Sequence, residues 1–340
     1  MAVGPRNLIT DVAGLTVGNA DDVDLRSGVS VILPESAMLA AADIRGGAPA
    51  TRDMDGLVAG RLVERVHGIA LSGGSGFGLD AGGGLQSWLA AQGRGIAFGG
   101  AVIPVVPTAI LFDLSNGGNK DWGELPPYRA LAEQAAQNAS TDFQLGNVGA
   151  GMGATAADIK GGLGSASWCY ETAAAQSITI GALAAVNPMG SVLMPGSRSF
   201  WAWPFAQNAE LGALSVPTMP VVDGADFVLP SRTETTTNTT LVVVATDACL
   251  DKAQAERVAI MAQDGLARAI RPIHSPFDGD VVICVSTEKI AIEGSPHEIA
   301  AIGHYAADCV ARAIARGVYE AASLGPWQSY KERYGNGDDF

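Results

Sequence analysis

The chain is short of basic residues. Its 340 residues carry 21 Lys and Arg against 35 Asp and Glu, a formal net charge of −14 at pH 7. A surface of that sign repels phosphate backbones, which sets nucleic acid aside as a partner. Charge of either sign is sparse, at 16% of residues, while 48% are hydrophobic, a balance that excludes a disordered chain. Even so, no apolar run reaches the roughly 18–20 residues of a membrane helix, because Gly, Pro or a charge interrupts each one. No apolar segment follows the opening Met-Ala-Val-Gly-Pro-Arg, so no secretory signal is expected and a cytoplasmic location is.

Cysteine and histidine are scarce too. Cys169, Cys249, Cys284 and Cys309 form no CxxC pair, and their apolar settings, such as Val281-Val282-Ile283-Cys284-Val285, read as reduced core positions. His67, His274, His297 and His304 have no metal-ligand spacing, so a zinc site is not expected. Nucleotide loops are missing as well. There is no GxxxxGK[ST], and Leu79 stands where a GxGxxG starting at Gly74 needs glycine. A GxSxG nucleophile elbow around Ser75 fails at Phe77. The Gly-rich run Ser72–Asp80 then reads as a tight loop entering a helix, whose backbone N–H groups are suited to an anion or oxyanion.

What is abundant is small residues: the 43 glycines imply many turns and close backbone approaches. A Gly-punctuated strand pattern runs from Asn7 to Ala20. Further strands are expected at Val29–Leu33, Gly68–Leu71, Ser177–Val186, Leu241–Thr246 and Asp280–Ser286, with a short buried one inside Ala101–Leu114. Helices are expected at Ala81–Ala91, Pro126–Gln137, Asp251–Ile270 and Glu298–Ala322. Pro188–Thr237 reads as a linker, and the tail from Pro326 as loosely held. No internal repeat is visible.

Four places carry polar residues that chemistry could use. Asp278-Gly279-Asp280 opens a strand, either as a solvated turn or as a carboxylate pair that orients a nucleophile or ammonium. Lys160 is the one lysine between Lys120 and Lys252 and lies among glycines, where a surface charge is the plain alternative. Asn187 ends a buried strand before Pro188, as a turn former or as a polar group of a site. Asn238-Thr239 closes a Thr cluster directly before a buried strand. It is a polar loop, a glycosylation sequon, or a junction whose cleavage exposes a Thr that carries its own base. A free α-amine titrates at about 7.7–8.0, near the working pH of a general base.

Taken together, several long motifs in the same order resemble the L-aminopeptidase/D-esterase (DmpA-like) peptidase family, which includes nylon-oligomer hydrolases. They are Leu8–Gly18, Arg45-Gly46-Gly47-Ala48, Leu71–Asp80, Gly149-Ala150-Gly151, Asn238-Thr239-Thr240 and Pro272-Ile273-His274 through Asp278-Gly279-Asp280. The resemblance implies an α/β protein with a four-layer α/β/β/α sandwich. It implies self-cleavage between Asn238 and Thr239, giving a large subunit 1–238 and a small subunit 239–340 from a single catalytic domain. It also implies Thr239 as the nucleophile, Lys160, Asn187, Asp278 and Asp280 as catalytic partners, and a homo-oligomer, a tetramer of processed units, acting on a small peptide or other amide. The N-terminal-nucleophile chemistry implied by the resemblance needs no metal or organic cofactor.

Two positions depart from the family. Phe112 stands where some members place a Tyr near the nucleophile. Ile110 stands where the aminopeptidase members carry a Glu that grips the substrate's amino group, which shifts the expected specificity toward other amides. Acyl transfer of the ornithine acetyltransferase type, or an uncleaved non-catalytic role, are the competing readings.

Overall fold

A computed structural model describes residues 2–172, 175–212 and 238–335. In chain order the strands are β1 (Leu15–Asp22), β2 (Ser27–Pro34), β3 (Met38–Ile44), β4 (Thr51–Arg52), β5 (Arg65–Val66), β6 (Ile69–Ser72), β7 (Ile96–Phe98), β8 (Ala101–Ile103), β9 (Thr108–Ile110), β10 (Thr155–Ala156), β11 (Ile159–Lys160), β12 (Gly162–Glu171), β13 (Ser177–Asn187), β14 (Thr239–Ala248) and β15 (Val281–Ile290). The α-helices are α1 (Asp80–Ala91), α2 (Tyr128–Gln137), α3 (Lys252–Ala269), α4 (Pro296–Tyr319) and α5 (Tyr330–Tyr334).

Two sheets hold the molecule. One has the order β1-β2-β6-β9-β4, the other β12-β13-β14-β15-β3-β5. The alternation of side chains along each strand explains the layering. On β14, Leu241, Val243 and Ala245 point into the space between the sheets, where they join Val17, Ile32, Ile69 and Leu71. Val242 and Val244 point the other way and pack with Val258 and Leu266 of α3 and Val310 and Ile314 of α4. On the far side, Val29 and Val31 of β2 meet Leu85 and Leu89 of α1 and Leu131 of α2. The result is the expected α/β/β/α sandwich. Its parallel β14–β15 pair is joined through α3, which starts on a capping box between Asp251 and Gln254.

Several local expectations need correction. The Asn7–Ala20 run is not one strand: a 3₁₀ turn at Ile9–Asp11 precedes β1. The tail beyond Pro326 is tied down as far as α5, where Tyr330 is buried and packs against Phe200 and Tyr319, while 336–340 lie outside the described residues. The first part of the expected linker is likewise packed: Phe200 and Leu211 are buried. There Glu210 accepts from Arg312 Nε (2.7 Å) and Nη2 (2.8 Å) and from Asn7 Nδ2 (2.7 Å). Arg312, only 1% exposed, also donates to the Ser167 carbonyl. The rest of that expected linker, 213–237, lies outside the described residues. Of the cysteines, Cys284 and Cys309 are buried as expected, whereas Cys169 and Cys249 are half-buried.

Candidate active site

The site forms where β13 ends and β14 begins. Pro188, with no N–H to donate, ends the β13 ladder, and Asn187 is left paired with Thr239, the first residue of β14. Both are buried, as is Asn238.

The 275–280 segment runs beside the Asn238–Thr239 peptide. Asn238 N–H donates to the Phe277 carbonyl (3.1 Å), and Gly279 N–H donates to the Asn238 carbonyl (3.0 Å). The same Gly279 N–H also reaches Thr239 Oγ1 at 3.2 Å. The Thr239 hydroxyl in turn donates to the Asn238 carbonyl oxygen at 2.5 Å. The hydroxyl therefore lies on the peptide bond that precedes it, with one backbone donor serving both oxygens. Only glycine fits at 279: a Cβ there would sit 2.7 Å from Thr239 Oγ1 and 2.8 Å from the Ala48 carbonyl.

Neither carboxylate of the Asp-Gly-Asp motif is a solvated turn residue, because both are fully buried. Asp280 accepts from Thr240 N–H (2.8 Å) with one oxygen. Its other oxygen meets His274 N–H (3.1 Å) and His274 Nδ1 (3.0 Å). Asp278 accepts from Met189 N–H at 3.0 Å and from the Ser275 hydroxyl. Burial pushes the Asp278 carboxyl above its ordinary range, and the neighbouring Asp280 charge pushes it the same way. The Arg45-Gly46-Gly47-Ala48 run wraps this segment, with Arg45 and Gly46 N–H on the Asp280 carbonyl and Ala48 N–H on that of Asp278.

Asn187 uses both ends of its amide. Oδ1 accepts from Thr155 N–H (2.8 Å), and Nδ2 donates to the Phe112 carbonyl (3.0 Å), which leaves a second N–H on Nδ2. Lys160 follows Thr155 around the β10–β11 turn, where Thr155 and Lys160 are cross-strand partners. Its ammonium donates to the carbonyls of Gly151 (3.0 Å), Ala154 (2.9 Å) and Gly161 (2.9 Å). Burial pushes its pKa down to about 7, against the upward pull of the Asp113 charge. Asp113 itself is held by the Ser27 hydroxyl (2.6 Å) and Gly74 N–H (2.8 Å). Among the described residues no hydrogen bond joins Lys160, Asp278 or Asp280 directly to Thr239; Asp280 holds the adjacent Thr240 N–H, Asp278 the Met189 N–H, and Lys160 the three carbonyls named above. Ile110 is buried in β9 and Phe112 half-buried, so of the two positions singled out for a pocket only Phe112 has exposed side-chain surface.

Several backbone N–H groups of the Gly-rich loop after β6 are already engaged within the protein. Gly73, Gly74 and Ser75 N–H are bonded to the Gly28 carbonyl, Asp113 and the Leu111 carbonyl. What a side-chain reading misses are the contributions of Gly279, Met189 and Thr155, each made through a backbone N–H, and the His274–Asp280 contact. The glycine between two acids was the one visible signal for the first.

Comparison with known proteins identifies the family of the chain. The profile of peptidase family S58 matches residues 7–330. An uncharacterised aminopeptidase of Mycobacterium tuberculosis (strain H37Rv) is 38% identical over 357 residues, covering 96% of this chain and 98% of that protein. A 6-aminohexanoate-oligomer endohydrolase of Paenarthrobacter ureafaciens is 26% identical, covering 87% and 79%. The L-aminopeptidase D-Ala-esterase/amidase of Ochrobactrum anthropi, described as a variant of the Ntn-hydrolase fold, superposes with a TM-score of 0.71 at 22% identity, over 98% of this chain and 96% of that one. The chain belongs to peptidase family S58 and is a hydrolase of peptide or related amide bonds.

Proposed function

We propose that this hydrolase activates itself by cutting between Asn238 and Thr239 and then uses Thr239 as its N-terminal nucleophile. The observation that carries the reading is the Thr239 hydroxyl on the Asn238 carbonyl oxygen at 2.5 Å, with the Gly279 N–H bonded to both oxygens. In the first reaction Oγ1 attacks the Asn238 carbonyl carbon, the peptide bond to the Thr239 nitrogen breaks, and that nitrogen takes up the proton. Water then hydrolyses the resulting ester. The products are subunits 1–238 and 239–340.

In the second reaction the freed α-amine takes the proton from Oγ1 as it attacks a substrate amide, and returns it to the leaving amine. Water releases the acyl group from Thr239. The Gly279 N–H and the second N–H of Asn187 Nδ2 are the donors available for the developing oxyanion. One such donor is worth about 2.7–4 kcal/mol in a comparable hydrolase. Asp280 and Asp278 fix the strand ends around the nucleophile, and Lys160 supplies a buried cation held by the Gly151, Ala154 and Gly161 carbonyls, its pKa lowered to about 7 by burial.

The substrate class is a small peptide or other linear amide. That follows from the family and from the relatives named as aminopeptidases and as an amide-oligomer hydrolase. The exposed apolar ribbon formed by β7 and β8, with Phe98 75% exposed, fits a homo-oligomer of processed units, a tetramer in our reading. Four free cysteines fit the cytoplasm. Intact mass spectrometry under denaturing conditions tests the central claim: the smaller fragment is expected to begin at Thr239, and a chain still whole after prolonged incubation at neutral pH removes the nucleophile assignment.

A further inference from the structure

We infer that His274 is a positioning residue for the nucleophile, acting through Asp280. The inference rests on the proposed role of Thr239. Asp280 has no exposure to solvent, so each of its oxygens needs donors from the protein. Oδ1 is held by Thr240 N–H, the residue next to the nucleophile. Among the described residues Oδ2 is held by His274 alone, through both its backbone N–H (3.1 Å) and ring Nδ1 (3.0 Å). An ionised carboxylate only accepts hydrogen bonds, so Nδ1 carries the hydrogen in this contact.

The backbone around His274 is built for the contact. His274 sits at φ 56, in the left-handed region, which His, Asn and Asp enter more readily than other side chains and glycine most readily of all. That conformation brings its own N–H and ring Nδ1 to the same carboxylate oxygen. Without the ring, Oδ2 keeps one donor, and the carboxylate is free to turn about its Cβ–Cγ bond. Turning carries Oδ1 away from Thr240 N–H, and the first residue of β14 moves with it. A displacement of about 1 Å at a reacting group costs about a hundredfold in rate. The ring is 20% exposed, so its far edge faces the surface while its near edge holds the buried acid.

The experiment compares His274→Asn with His274→Gly on an aminoacyl p-nitroanilide, with Thr239→Ala alongside. Asn places an amide nitrogen near the position of Nδ1 and tolerates the left-handed backbone. Gly tolerates the backbone and supplies no donor. The Asn variant is expected to keep kcat within about threefold of the unmodified enzyme, while Gly loses about 10–100-fold in kcat with KM held within about twofold. Thermal melts are expected to show both folded. Equal kcat in the Gly variant and the unmodified enzyme overturns the inference, and so does an equal loss in Asn and Gly, which would make the ring's bulk the cause. If Thr239→Ala is inactive while His274→Gly keeps its kcat, only the inference about His274 falls. If Thr239→Ala stays active, the nucleophile reading falls and takes this inference with it.

Discussion

Asn187 and Thr239 are the final residue pair of the antiparallel β13–β14 ladder, so the side-chain amide of one strand end is fixed across from the hydroxyl of the next. The proposed chemistry is thus set by a sheet register. A slip of one residue between the strands would turn one of the two side chains to the opposite face and part them.

Removing the Thr239 hydroxyl separates processing from folding. Thr239→Ala is expected to fold, remain a single chain and show no amide hydrolysis. Thr239→Ser keeps a hydroxyl on the same carbonyl and is expected to process and retain some activity. Denaturing electrophoresis and mass spectrometry of both variants check this, and a cleaved, active Thr239→Ala places the nucleophile elsewhere.

A single methyl group at position 279 is expected to have an effect out of proportion to its size. Gly279→Ala puts a Cβ 2.7 Å from Thr239 Oγ1, tighter than side chains pack, so hydroxyl and donor must move apart. Self-cleavage is expected to slow by at least about tenfold, measured as the time course of the 239–340 fragment after dilution from denaturant.

Lys160 gives a pH signature with a defined sign. Its pKa falls from 10.5 in a free chain to about 7 in the fold, so between those values the unfolded chain binds more protons. Its contribution to stability is lost as pH falls through about 7 and grows as pH rises toward 10.5. In Lys160→Met that dependence disappears. Urea titrations at several pH values from about 6 to 9 are expected to show a wild-type-minus-variant difference that is flat below neutrality and rises above it. A difference constant across the range argues for an ammonium that stays charged.

Specificity provides a fourth test. On the family resemblance, Ile110 stands where an acid would pair with a substrate ammonium, and Asp113, the nearby carboxylate in sequence, is occupied by Ser27 and Gly74 and raised in pKa by burial. Neither position offers a free counter-charge. The preference for a free over an N-acetylated aminoacyl p-nitroanilide is expected to stay below about a hundredfold in kcat/KM, or about 2.8 kcal/mol. A larger preference points to another acid in the pocket.

Much of this was legible in the sequence, because the informative elements are strongly patterned. The Val242 and Val282 strands and the α3 and α4 helices carry clear apolar periods. β12 was missed because its Gly-Leu-Gly-Ser-Ala-Ser start has little strand propensity. Its small residues serve contact instead: a Cβ on Gly164 would fall 1.9 Å from the Ala313 carbonyl, so α4 lies directly on the strand. β3 was missed for a similar reason, an alanine-rich run beside the edge strand. At the site, Asp278, Asp280, Asn187 and Lys160 stood out as side chains. The roles of Gly279 and Met189 are carried by backbone N–H groups, which a sequence does not display.

The Arg312–Glu210 pair has a consequence for how the enzyme must be made. Glu210 lies before the proposed cut and Arg312 after it, and their side chains are 6% and 1% exposed. Translated separately, the downstream piece would have to bury a guanidinium without its carboxylate, a penalty of about 3–5 kcal/mol in comparable buried pairs. On the proposed processing, folding as one polypeptide comes first and scission second. A gene split in two at codon 239 is expected to yield insoluble halves, whereas the same halves produced by scission of the folded precursor stay together through gel filtration.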